Sequence, residues 1–316
     1  MIDQGAIDHI AARAYIPEHL PGYVCSVSRA EPFVVGEHLC YVREDHLAFI
    51  GYPLSGGAGG EEMEEALREA LSRFRPKRLS LISQEIPTYL EEGLVIQAGP
   101  LEEGKGRDGG LKRGRPPRRS RKVELRPRAM EVRDWYYRLE LSRLRIPSKT
   151  INMVRRASRE ARVVEGGSPG EEHEALIRSF LASRSLDAGT AEILGRVPDY
   201  LRHVSTARLY SAFDGEGRLV AFDVAEFGAK EYAFYMFNFR SRDPHVPGAS
   251  DLLLHEIIKD AARAGKSFLN LGLGVSPGVA FFKEKWGATR FLPYRFRLYG
   301  TKSVGILDLL TGTGMR

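Results

Sequence analysis

The order of elements between Ala207 and Tyr299 constrains the fold more than any other feature of the chain. Ala207–Phe213, Leu219–Phe227 and Glu231–Phe239 are rich in β-branched and aromatic residues. The turn signals DGEG and FGAK separate them, which predicts an antiparallel meander of three strands. Asp251–Ala264 follows as a helix with Leu253, Leu254, Ile257, Ile258 and Ala261 in one stripe; Ser250 is placed to cap its start and Gly265 to end it. An apolar strand at Phe268–Leu273, a short helix around Ala280–Trp286 and a last strand at Arg290–Tyr299 complete the run. Upstream, Ala161–Val164 reads as a short strand and Glu171–Ser185 as a helix.

The N-terminal half repeats this grammar more faintly. A hairpin, His38–Arg43 with His46–Tyr52, precedes a helix at Glu61–Phe74 whose Met63, Ala66, Leu67, Ala70, Leu71 and Phe74 share one face. A strand at Arg78–Ser83, a short helix near Pro87–Glu92 and strands at Leu94–Gln97 and Lys122–Leu125 come next. The expected class is mixed α/β, with two domains of like topology. Residues 1–145 form the first and 162–300 the second, a basic helix at 146–161 joins them, and 301–316 is a tail.

Charge is segregated along the chain. The total is 47 basic against 41 acidic residues, a net +6. From Lys105 to Arg128 eleven basic residues face only Asp108 and Glu124, and from Arg143 to Arg162 seven face only Glu160. The middle of the chain is therefore a cation on an otherwise acidic protein, the pattern expected for a polyanionic partner, because phosphate neutralisation releases counterions. The stretch at 105–122 is Gly- and Pro-rich without apolar periodicity and reads equally as a solvated loop. In Pro147–Arg162, Ile151, Val154 and Ser158 recur at helical spacing with arginines interspersed, which predicts a basic helix. The longest uncharged run, Ser267–Phe282, is too short to span a bilayer and holds three glycines and a proline. The N-terminal ten residues lack the features of a secretory leader, and only Cys25 and Cys40 are present, so a cytoplasmic location is expected.

The stretch PGASDLLLHEIIKDAARAGKSFLNLGLGVSPG, then FFKEKWGATRFLPYRFRLY, resembles the C-terminal domain of phosphatidylglycerol lysyltransferases and, more distantly, the Fem-type peptidoglycan aminoacyltransferases. The helix KTINMVRRASR and the hairpin end AFIGYP fit the same pattern, so the resemblance covers most of residues 38–300 apart from the 101–121 loop. Phe282-Lys283-Glu284-Lys285-Trp286 is its most specific piece. The resemblance implies two acetyltransferase-like domains in tandem and transfer of an aminoacyl group from aminoacyl-tRNA to an amine or hydroxyl of a small molecule, peptide or lipid head group. It implies tRNA as partner and no tightly bound cofactor; the lysyltransferases usually carry a multispanning membrane half as well, whereas no transmembrane segment is expected in this sequence, with peripheral membrane contact open. Acyl-CoA is the alternative donor, although His245-Val246-Pro247-Gly248-Ala249-Ser250 matches the usual pyrophosphate loop only at Gly248 and lacks its upstream basic residue. A non-catalytic nucleic-acid-binding module is a further alternative.

Acyl transfer from an ester develops an oxyanion, and a fixed cation beside it stabilises the transition state by about 3–4 kcal/mol. Lys283, flanked by Phe281, Phe282 and Trp286, is the first candidate for that cation. Asp251 opens the long helix, where the family carries an acid, and either orients the incoming amine or complements the helix dipole. Glu226 shares a strand face with Val220, Phe222 and Val224, where burial would raise its pKa towards that of a general base; Asp223 faces the other way. Arg155, Arg156, Arg240 and Arg242 are candidate phosphate contacts because guanidinium forks match phosphate oxygens; Gly248 and Lys285 complete the set on the cofactor side. His173, His203, His245 and His255 show no metal-ligand spacing, so no metal is expected.

Overall fold

The computed structural model describes residues 2–56, 60–90, 94–97 and 122–301. The basic loop at 101–121 and the tail from 302 lie outside the described residues. Helices α1 (Gln4–Ala12) and α2 (Pro21–Ser28) lead into strands β1 (Glu31–Val35), β2 (His38–Arg43) and β3 (His46–Ile50). Helix α3 (Gly60–Phe74) connects to β4 (Arg78–Ser83), and β5 (Leu94–Gln97) precedes β6 (Lys122–Glu140). Helix α4 (Ser148–Glu160) and β7 (Ala161–Glu165) are followed by α5 (Glu171–Ala182), α6 (Ala188–Gly195) and α7 (Val197–His203). The meander β8 (Ala207–Asp214), β9 (Leu219–Glu226) and β10 (Tyr232–Arg240) then gives way to α8 (Ala249–Arg263), β11 (Phe268–Leu273), α9 (Pro277–Glu284) and β12 (Thr289–Thr301).

The mixed α/β class is the one expected, and every strand belongs to one twelve-stranded sheet. Its order is β1-β2-β3-β4-β12-β6-β11-β10-β9-β8-β7, with β5 pairing β6. One unit occurs twice: antiparallel strands, then a helix crossing over to a parallel neighbour. Helix α3 makes that crossover between β3 and β4, and α8 makes it between β10 and β11. Each half is completed by a strand from the other. The last strand, β12, inserts between β4 and β6, whereas Tyr136–Glu140 at the end of β6 pair with β11. Strands from both expected domains, 1–145 and 162–300, belong to this one sheet. Strand β6 was visible in the sequence only as far as Leu125, because its arginines obscure the alternation and Pro127 reads as a breaker. That proline, with no amide to donate, sits at a register irregularity opposite Tyr299.

Helix α8 lies on its face of the sheet because the strands beneath it carry small side chains. Ala212, Ala221, Ala225 and Ala233 leave room for Leu253, Leu254, Ile257 and Ala261. Helix α4 packs on α8 in turn, through Val154 and Ala157. The opposite face is covered by α5 and α7, with Ile177 and Tyr200 against Phe222, Val224 and Phe239. Helix α8 begins at Ala249, with Gly248 as its cap, so Ser250 belongs to the first turn and is not the cap expected for it.

The parallel pairing of β10 with β11 stops after three residue pairs, at Phe234 and Asn270, although both strands continue. Irregularities explain the parting. The register of β10 shifts between Tyr235 and Phe237, and that of β11 between Asn270 and Gly272. Bulges at the same level on neighbouring strands bend them apart. Gly272 adopts φ 73°, which suits a glycine, and its amide is taken up by the Asn270 side chain at 2.7 Å instead of by the ladder.

Candidate functional site

Lys283 stands beside this parting of the strands. Ser276 caps α9 by accepting from the Val279 amide, and Pro277 pre-sets its first turn, so the chain leaving β11 becomes helical at once. The turn aims Lys283 back at the sheet. Its side chain is 4% exposed, its Nζ donates to the Leu273 carbonyl on the splayed part of β11, and the Tyr137 ring lies 5.8 Å away. Burial pushes the ammonium down to about 7, against an opposing pull from Asp134. The Asp134 carboxylate is held by the amides of Trp135 and Val275, both at 2.7 Å. Val275 adopts φ 57°, a strained conformation for a β-branched residue, at the turn that joins β11 to α9. Asp134 and Tyr137 were not singled out from the sequence because they lie in the part of β6 that was not recognised as strand.

A second polar group occupies the α8 side of the same strands. Asp251, 5% exposed, accepts from Lys285 Nζ at 2.6 Å and from Trp286 Nε1 at 2.9 Å. Both oxygens are thus committed, and Lys285, with its ammonium over the Phe282 ring at 4.7 Å, is the amine this carboxylate holds. Asp223 lies in the same region, fully buried, with Oδ1 accepting from Asn238, which also donates to Ser250 Oγ at 3.1 Å. The Tyr235 hydroxyl is a second hydrogen-bond partner of this carboxyl. Burial, with the Asp251 charge adding to it, pushes this carboxyl up to about 8. The alternation of β9 already put Asp223 on this face; the burial of that face by α8 and the bulged β10 depended on the tertiary fold.

The remaining candidates are dispersed. Glu226 faces α7 on the other side of the sheet, accepting from the Tyr200 hydroxyl and from the amides of Phe227 and Gly228 at 3.1 and 3.0 Å. Both of its oxygens already accept hydrogen bonds from the chain. Gly248, φ 85°, packs on α4: a Cβ there would come within 3.2 Å of the Met153 carbonyl. Helix α4 thus covers the start of α8 on that side. Arg155 and Arg156 are exposed on α4, and Arg156 pairs with Glu160 at 3.7 Å. The helix is tied to the site by Thr150, whose hydroxyl donates to the Lys285 carbonyl at 3.0 Å. Arg240 and Arg242 lie at the C-terminal end of β10, in a hollow shared with Arg184 of the α5 end. Because β10 and β11 are parallel, that hollow and Lys283 lie towards the same edge of the sheet. Among the described residues no cluster of three or more His, Cys, Asp or Glu is placed to hold a metal ion. No helix among them is long and apolar enough to cross a membrane.

No family model matches the sequence, and no curated protein does. Solved structures do match. A conserved protein of unknown function from Bacteroides thetaiotaomicron superposes with TM-score 0.59 at 10% identity, over 95% of this chain and 97% of that one. A C-terminal domain assigned to lysylphosphatidylglycerol synthetase from Agrobacterium fabrum gives 0.57 at 13%, covering 97% and 94%. FemX gives 0.54 at 10%, covering 93% and 96%. At such identities the likeness concerns the fold. Both groups that the sequence resembles are represented, so the chain shares the fold of the lysylphosphatidylglycerol synthetase C-terminal domain and of FemX over nearly its full length.

Proposed function

We propose that this chain is an acyltransferase that moves an aminoacyl group from aminoacyl-tRNA to an amine or hydroxyl acceptor. The observation that carries the reading is Lys283, a buried ammonium with its pKa near neutrality, beside the point where β10 and β11 separate. In the reaction the acceptor nitrogen or oxygen attacks the ester carbonyl, the new C–N or C–O bond forms, the ester C–O bond breaks, and the proton lost by the acceptor passes to the departing ribose hydroxyl. Lys283 stabilises the oxyanion of the tetrahedral intermediate from a site where low polarity strengthens its field. The covered start of α8 favours this donor over acyl-CoA, because α4 occupies space beside the helix terminus where pyrophosphate would bind. The likeness to FemX and to the lysylphosphatidylglycerol synthetase domain supports the same choice.

The test is transfer of radiolabel from mixed aminoacyl-tRNA to a pool of small amines, peptides and extracted phospholipids, with acetyl-CoA as a parallel donor. RNase-sensitive transfer is expected, falling by about 10²–10³ in Lys283→Ala, the range seen when one oxyanion donor is removed. Transfer from acetyl-CoA alone, no transfer from either donor, or transfer indifferent to Lys283→Ala would each defeat the proposal.

A further inference from the structure

Two hollows flank α5, and they are built differently. The larger, about 220 Å³, contains Arg178 and Arg202, and both are matched there: Glu174 pairs with each, and Asp199 lies 3.6 Å from Arg202. The smaller, about 100 Å³, is lined by Ser179, Phe180, Ser183, Arg184, Arg240 and Arg242. No carboxylate lines it, and among the described residues no ion pair or side-chain hydrogen bond engages any of its three guanidinium groups. Three like charges gathered without a counter-charge repel one another, so the arrangement favours an anion from outside.

The hollow is also shaped for one. Arg184 lies over the Phe180 ring at 4.2 Å, and that ring packs edge-on against Phe239 at 5.2 Å, so the guanidinium stands on a fixed aromatic floor. Arg240 follows Phe239 at the end of β10 and lines the same hollow. The Ser183 hydroxyl donates to the Phe180 carbonyl and thereby holds the C-terminal turn of α5. A volume equal to roughly three water molecules accepts a single tetrahedral anion and excludes a nucleoside. Guanidinium forks meet phosphate oxygens bidentately.

We propose that the Arg184–Arg240–Arg242 hollow is a phosphate subsite that takes one backbone phosphodiester of the RNA donor and so sets the register of its acylated end relative to Lys283. The assignment rests on the donor proposed above and adds a defined contact to it. It draws on the position of the hollow at the C-terminal end of β10, next to the C-terminal end of β11 where Lys283 donates to the Leu273 carbonyl, with the hollow on the α5 face of the sheet. The exposure of the three arginines suits a strand lying across the rim.

The experiment compares the full chain with Arg184→Ala, Arg184→Lys and Arg240→Ala, using Arg263→Ala as a charge-matched control on the far end of α8. The probe is a short single-stranded RNA carrying the tRNA 3′ terminus, titrated at several salt concentrations, with inorganic phosphate and CoA as competitors. Affinity for RNA is expected to fall about tenfold in Arg184→Ala and in Arg240→Ala. The salt slope should drop by about one in each. Arg184→Lys should recover part of the affinity, and Arg263→Ala should match the unmodified chain. Equal losses in Arg184→Ala and Arg263→Ala would overturn the subsite, as would loss of CoA binding with RNA binding intact. The two proposals fail separately. Donor KM unchanged in Arg184→Ala while transfer proceeds removes the subsite and keeps the transferase; arginine-dependent RNA binding without transfer from any donor does the reverse.

Discussion

Lys283 and Asp223 are buried ionisable groups near the parting of β10 and β11, and each makes a distinct pH prediction. Burial lowers the Lys283 pKa from 10.5 to about 7, so between those values the unfolded chain binds a proton that the folded chain has released. Stability contributed at this site therefore rises with pH across that window, and the cationic fraction falls. If the ammonium stabilises the oxyanion, transfer declines on an alkaline limb with apparent pKa near 7, and Lys283→Arg, always charged, removes that limb; a pH–rate profile checks both. Asp223 behaves inversely. Its folded pKa, about 8, lies above the unfolded value of 3.8, so the folded state keeps a proton that the unfolded chain releases, and stability falls as pH rises from about 4 to 8. Asp223→Asn is expected to raise Tm at pH 8 and to leave it nearly unchanged at pH 4, by about 2–4 °C for each kcal/mol recovered. A rise of equal size at both pH values would show that the gain has another source. Alternation along β9 told Asp223 from Glu226 in the sequence, but neither residue's partners were legible, because Asn238 lies on another strand and Tyr200 on a helix of the opposite layer.

Helices α4 and α8 were both readable from periodicity, and their mutual packing was not. The basic character of α4 drew attention to its arginines, whereas the residues that place it are Val154 and Ala157, which face α8, and Thr150, which holds the Lys285 carbonyl. Gly248 has a structural part in this contact, since its φ of 85° and the nearby Met153 carbonyl exclude a side chain. Gly248→Ala is expected to cost about 1–3 kcal/mol through backbone strain, measured as a lower urea midpoint with unchanged m-value. A substitution that leaves the midpoint in place would show that α4 and α8 can separate cheaply, reopening the α8 terminus to a phosphorylated cofactor. Strand β6 illustrates the converse difficulty. Its 19 residues mix Arg, Glu and Pro with Trp135, Tyr136 and Tyr137, because its two ends serve different neighbours.

The sheet joins the two halves by exchange. Strand β12 supplies the neighbour that β4 requires, and the end of β6 supplies the neighbour that β11 requires. Separating the chain at the connecting helix would strip a central strand from each half and leave long unpaired edges. The expected outcome is a single cooperative unfolding transition, the same by far-UV circular dichroism and by tyrosine and tryptophan fluorescence, and no independent folding of a 146–316 fragment. Two resolved transitions, or a folded fragment, would refute the mutual dependence. The exchange also places Asp134 and Tyr137, from the first half of the chain, against Lys283 from the second, so the candidate site is formed by both.

The hairpin β2–β3, helices α3, α4, α5 and α8, the strands of the meander, the repeated strand–helix–strand grammar and the concentration of positive charge around α4 were written in local periodicity and composition, since such patterns depend on neighbours a few residues away; α1, α2, β1, α6 and α7 were not read from it. The two bulges that part β10 from β11, the exchange of β6 and β12, the buried Asp223–Asn238 pair and the gathering of arginines at the α5 hollow arise between segments far apart in the chain. Their energies come from contacts such as Asp134 with the Val275 amide and Phe180 with Phe239, and those exist only once the sheet has assembled.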